Sequence, residues 1–235
     1  MTEAEWRECE FPEAMVDYVS GRSSERKMRL FCCACCRRIW PLITAPESRK
    51  AVEVSEALAD GKAREARRVA ANNAATGVAR RERDWPFVAA EEASKRMIRP
   101  YRKLPELAEW AGRATYYASK AAYGGAYHAV GTNDRAAFNT GNLARQAEQA
   151  AQCILLRNIF GNPFRPIAVE PPWLTSTVVA LANGIYADRA FDRMPILADA
   201  LQGAGCDNDD VLSHCRGEGP HVRGCWVVDL VLGKT

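Results

Sequence analysis

From Leu143 to Ile159, apolar side chains at Leu143, Ala147, Ala150, Ala151, Ile154, Leu155 and Ile159 recur at steps of three and four residues. That is the period of one helix face, and over this length it is incompatible with a strand, whose side chains alternate every second residue. Gly161 and Pro163 then supply a stop. The same period returns at Met28, Phe31, Cys32, Cys35 and Ile39, again from Leu107 through Ala121, and again at Val178, Leu181, Ala182 and Ile185. A chain with this pattern buries its apolar stripes by packing helix on helix. The expectation is an all-α, multi-helix orthogonal bundle forming a single domain over 1–235. Its segments would be N-terminal helices (1–60), an Ala/Arg-rich helical middle (61–157) and a Cys/His-containing C-terminal lobe (158–235).

Caps and breakers set the expected boundaries. Thr2 caps a helix over Glu3–Cys9, and Phe11-Pro12 breaks before a second over Glu13–Val19. Ser23 or Ser24 caps a third that reaches about Trp40, where Pro41 closes it; Pro46 opens a fourth with Val52, Leu58 and Ala59 facing inward. Helices follow over Lys62–Arg83 and Val88–Ile98, and the Gly124-Gly125 pair should weaken the one after Leu107. Gly131-Thr132-Asn133-Asp134 is a turn that can cap the Leu143 helix. Asp192 and Asp207 are candidate caps for two short C-terminal helices. The last element, Val222–Leu232, is β-branched enough for a buried strand, and the surrounding pattern assigns it to a helix.

No apolar run approaches the ~20 residues of a membrane helix; the longest, Cys225–Leu232, is interrupted by Asp229. The acidic N-terminal stretch is unlike a secretion signal, so the expected location is the cytoplasm. Nine cysteines, an odd number, four of them crowded at Cys32, Cys33, Cys35 and Cys36, do not make a secreted disulfide framework. Reduced thiols, some packed as small apolar groups and some available to a metal, are expected instead.

Two cysteine groups are candidate metal ligands. Cys32, Cys35 and Cys36 include a C-x-x-C spacing, but inside a helix rather than in the tight turn that usually chelates zinc, so core packing is favoured there. The second group is Cys206, His214, Cys215, His221 and Cys225, which holds two of the three histidines. On a helix His221 and Cys225, four apart, would point the same way, and Cys206 with His214 could complete a tetrahedron around zinc. His214-Cys215-Arg216-Gly217 also resembles the start of the H-C-x5-R phosphate loop of cysteine phosphatases. The position that should be arginine is His221, with Arg223 two places late, and that reading is rejected.

The net charge of +3 conceals an asymmetry: 62–103 carries twelve Lys or Arg against five Asp or Glu. Arg64, Arg67, Arg68, Arg80 and Arg81 are therefore candidate nucleic-acid phosphate contacts. Interspersed acids such as Glu65 and Glu82 suit an ordinary solvated face better.

Two stretches carry a resemblance. One is Arg29-Leu-Phe-Cys-Cys-Ala-Cys-Cys-Arg-Arg-Ile-Trp40. The other runs from Ile159-Phe-Gly-Asn-Pro-Phe-Arg-Pro166 through Ala190-Phe-Asp-Arg-Met-Pro-Ile-Leu-Ala-Asp-Ala-Leu201 to His221-Val-Arg-Gly-Cys-Trp-Val-Val-Asp229. Together these resemble a large paralogous family of bacterial proteins with no established activity, so the resemblance implies no catalytic residue. No constellation fixes a reaction. The expectation is a non-enzymatic helical interaction or scaffold module with protein partners. The alternatives are a protein with a structural metal or thiol site in the C-terminal cluster, with zinc as the ion, and a nucleic-acid binder.

Overall fold

The structure is a computed structural model and describes residues 1–81, 104–131 and 135–234. All regular secondary structure among the described residues is helical, as the apolar periods require. None of the described helices is long and apolar enough to cross a membrane. The chain divides into two compact units, Met1–Leu156 and Arg157–Thr235.

The N-terminal unit contains α1 (Glu3–Glu8), α2 (Pro12–Ser20), α3 (Glu25–Arg38), α4 (Pro46–Ala59), α5 (Glu65–Arg81), α6 (Leu104–Ala129) and most of α7 (Arg135–Phe160). Thr2 caps α1 in a capping box with Glu5, and Ser24 caps α3 by accepting from the Lys27 amide. Helix α3 ends at Arg38, two residues before the expected limit, and Pro41 sits in a 3-10 turn, Trp40–Leu42. The expected helix over Val88–Ile98 and the turn residues 132–134 lie outside the described residues.

Helix α3 is buried on every face rather than along one stripe. Met28 through Cys36 are all buried, with α4 and α6 packed against the helix. Four cysteines and Ala34 keep it narrow enough for close neighbours, a use to which small polarizable thiols are suited. The charges at its end are paired: Arg37 donates to both carboxylate oxygens of buried Glu56 at 3.1 and 2.9 Å.

Helix α6 runs unbroken through Gly124-Gly125, against expectation. At Gly125 the reason is packing: an added Cβ would stand 3.3 Å from the Leu42 side chain. A second close approach lies at Gly141 of α7, where a Cβ would fall 2.7 Å from the Tyr123 ring. Gly141→Ala is therefore expected to destabilise the unit by about 1–3 kcal/mol, overriding the helix propensity gained. A urea unfolding midpoint at or above the parent's would contradict this crossing.

Helix α7 is rotated relative to the expected stripe. Leu155 and Ile159 are buried, but Leu143, Ala147 and Ile154 face outward, and Glu148 and Gln152 face in. The rotation is held by polar bonds. Arg38 donates from Nε to both oxygens of Glu148 (3.2 and 3.0 Å), and Gln152 Nε2 bonds Glu148 (3.0 Å) and the Thr115 carbonyl (3.3 Å). Turning the helix to bury Leu143 would break these bonds to a buried carboxylate, which costs more than one exposed leucine.

The C-terminal unit begins with the last turn of α7 and holds α8 (Ser176–Asp188), α9 (Met194–Gly203), α10 (Asp209–Arg216) and α11 (Trp226–Leu232). One apolar core joins them, including Val178, Ile185, Met194, Leu197, Val211 and Val228. The last element is a helix, but it starts at Trp226 rather than Val222. Gly161 ends α7 with φ +66°, and a Cβ there would stand 3.1 Å from the Trp226 ring, so two demands select glycine.

Candidate metal centre

Three short-range features bring His214, His221 and Cys225 together. Asn208, not the expected Asp207, caps α10 by accepting from the Val211 amide at 3.1 Å. Val211, Leu212 and Cys215 turn into the core, and His214, one residue before Cys215, stands at the edge of that buried face. After Gly217 the chain leaves the helix and returns through Gly219 (φ +85°) and Gly224 (φ +89°), both in the left-handed region that glycine tolerates. The Cys225 amide closes a tight turn onto the Val222 carbonyl at 2.9 Å, and Cys225 becomes the N-cap of α11.

His221 and Cys225 are thus neighbours across a loop. The expected one-turn pairing on a single helix does not occur, because α11 begins after both.

His214 Nε2 lies 3.2 Å from Cys225 Sγ, and His221 Nδ1 lies 3.9 Å from the same sulfur. The three donor atoms all fall within 4.8 Å of one another. A tetrahedral zinc with nitrogen ligands at 2.0–2.1 Å and sulfur at 2.3 Å separates its donors by about 3.3–3.6 Å, so small side-chain adjustments admit an ion. The two imidazoles meet edge to face, centroids 4.9 Å apart, and the Trp226 ring packs 5.1 Å from His214.

Protonation favours ligation. Burial, helped by His221, pushes the His214 imidazole down to about 3. Burial also lowers His221, opposed by its contact with the Gly217 carbonyl. Both rings are neutral at pH 7, as metal ligands must be. The tautomers fit as well. His221 Nε2 stands 3.4 Å from the Gly217 carbonyl, so it carries the proton and leaves the Nδ1 lone pair facing the sulfur. A backbone carbonyl on the remote ring nitrogen is the usual partner of a metal-binding histidine.

A fourth group completes the surroundings. Asn158, buried in the last turn of α7, sets its Nδ2 3.0 Å from His221 Nδ1 and 3.4 Å from His214 Nε2. Its Oδ1 accepts from the Val222 amide at 3.2 Å, which fixes the amide's orientation. Sequence reasoning passed over Asn158. It lies in an apolar helical run, and no spacing rule links it to residues 56 and 63 positions away.

Of the other candidate ligands, Cys206 and Cys215 lie outside the converging group. Both are buried in the apolar core of the C-terminal unit, where burial raises their thiols above the ordinary range. Cys32, Cys35 and Cys36 are fully buried in α3, with thiols raised by burial and by each other; neighbouring Cys33 is pushed up to about 12 by burial and Glu56. Among the described residues, none of the nine cysteines is joined in a disulfide. Among the described residues, His214, His221 and Cys225 are the one group of three or more His, Cys, Asp or Glu donors that converge in this way. Of the candidate phosphate contacts, Arg64, just before α5, and Arg67, in its first turn, are exposed; Arg68, Arg80 and Arg81 also belong to α5, and their side chains lie outside the described residues.

No protein-family model, curated protein or solved structure matches the chain.

Proposed function

We propose that the C-terminal unit is a metal-binding module in which His214, His221 and Cys225 hold a borderline-soft divalent ion of the zinc class. The observation that supports this reading is the convergence of two neutral imidazole lone pairs and one thiol within 4.8 Å. Two nitrogens and a sulfur suit zinc better than magnesium or calcium, which take oxygen donors. The donors come from α10, the following loop and the start of α11, so the ion ties the C-terminal helix to the rest of its unit. Its role in this reading is structural, supplying folding free energy to a core of modest size.

The test is thermal unfolding of chelator-stripped protein titrated with zinc. At a free concentration a hundredfold above Kd, the ion should stabilise the folded state by about 2.7 kcal/mol. His221→Ala and Cys225→Ser should each abolish that response. A midpoint that does not move with zinc would sink the reading.

One further observation favours a helical interaction module in the N-terminal unit. Helix α7 turns polar groups inward and leaves Leu143 66% and Ile154 43% exposed. Exposed large apolar side chains in a row are a mark of contact surfaces. Leu143→Ser with Ile154→Ser should leave urea stability within about 0.5 kcal/mol of the parent. It should also reduce binding of a hydrophobic dye. A large stability loss would instead show these residues to be core.

A further inference from the structure

We infer that Asn158 is the fourth ligand of the proposed metal site, and that it serves through its carboxamide oxygen after a half-turn of the side-chain amide. This deepens the metal reading and rests on it.

Structural zinc is almost always four-coordinate, whereas among the described residues His, Cys, Asp and Glu supply three converging donors. The fourth vertex of a tetrahedron should lie about 3.3 Å from each ligating nitrogen. Asn158 Nδ2 stands 3.0 Å from His221 Nδ1 and 3.4 Å from His214 Nε2, which matches that spacing to both nitrogens. Asn158 itself is buried.

Without an ion, the amide orientation is dictated by the two lone pairs. The NH2 group donates toward both rings, and Oδ1 accepts from the Val222 amide. Asn158 thereby satisfies the site's buried acceptors and holds the rings in their ligating tautomers. With an ion present, the same NH2 would point its protons at a cation. Rotation about the terminal side-chain bond exchanges the two ends and brings Oδ1 to the vertex. Val222 N–H gives up its acceptor in exchange for the metal–oxygen bond. The thiol proton of Cys225 leaves to solvent as the ion enters.

Two substitutions separate this role from simple packing. Asn158→Asp is nearly isosteric and offers an oxygen at the vertex in either rotamer, with a charge that attracts the ion. Asn158→Ala removes the ligand and admits water. The experiment is cobalt(II) and zinc titration of the full chain, reading the visible cobalt spectrum and zinc affinity, with circular dichroism as a folding check. The expected result is a wild-type cobalt spectrum of four-coordinate type. Asn158→Asp should shift that spectrum and bind zinc at least about tenfold more tightly, and Asn158→Ala should bind about 10–100-fold more weakly. Unchanged spectrum and affinity in Asn158→Asp, with metal bound normally by the wild type, would overturn the Asn158 assignment and leave the three-residue site standing. Absence of metal binding by the wild type would overturn both.

Discussion

Arg38→Ala is expected to lower the unfolding free energy of the N-terminal unit by about 3 kcal/mol, the range seen when one partner of a buried ion pair is removed. Glu148 is 6% exposed and takes both of its Arg38 bonds from a single guanidinium nitrogen. Burial already holds its carboxyl above the usual range even with Arg38 beside it. Without Arg38 the carboxylate is stranded and its proton affinity rises further. A carboxyl that binds its proton more tightly when folded stabilises the fold below its folded pKa and loses that contribution as pH rises through it. The deficit of Arg38→Ala should therefore shrink in acid. Adding Glu148→Gln should recover part of it at neutral pH, because a neutral amide can keep the bond to Gln152. If the double variant is as unstable as the sum of the two singles, the penalty is not a stranded charge.

Acid should weaken the metal-free C-terminal unit. His214 is held down to about 3 in the folded state against about 6.5 when unfolded, and burial lowers His221 in the same direction. The folded state thus binds fewer protons than the unfolded state between those values. The contribution is fully present above about pH 6.5 and is lost as pH falls toward the folded value. For His214 alone, the loss between about pH 7.5 and pH 4.5 is on the order of 2–3 kcal/mol. Chelator-stripped protein measured in urea across this window should show the decline, and His214→Gln should flatten it. A flat profile for the parent would mean that the ring is free to protonate in place.

Helical class and most helix ends were legible because they depend on local chemistry. Thr2, Ser24, Pro46 and Gly61 act on backbone groups a few residues away. Which face of α7 turns inward was not legible. Periodicity chose the apolar stripe through Leu143 and Ile154, but the choice is made by Arg38, 110 positions away from Glu148, and by Thr115 and Ser119 on α6. The place for a glycine at 125 in α6 depends likewise on where Leu42 packs.

The candidate site was half legible. Counting histidines and cysteines found His214, His221 and Cys225, while the reason offered, one helix carrying the last two, does not hold. Proximity comes from a loop whose path is set by Gly219 and Gly224. Cys206 and Cys215 share the residue type but lie in the core, Cys215 through its phase on α10 and Cys206 from the loop before that helix. Asn158 carries no signal of its own, since its significance lies only in what the fold puts beside it.

Elemental analysis of the untagged 235-residue chain after zinc loading and exhaustive dialysis, alongside His221→Ala and Cys225→Ser, tests whether these side chains hold the ion. The expected result is about one zinc per wild-type chain and almost none in either variant, with both variants still helical by circular dichroism. Zinc-free wild type, or equal zinc in all three proteins, would contradict it.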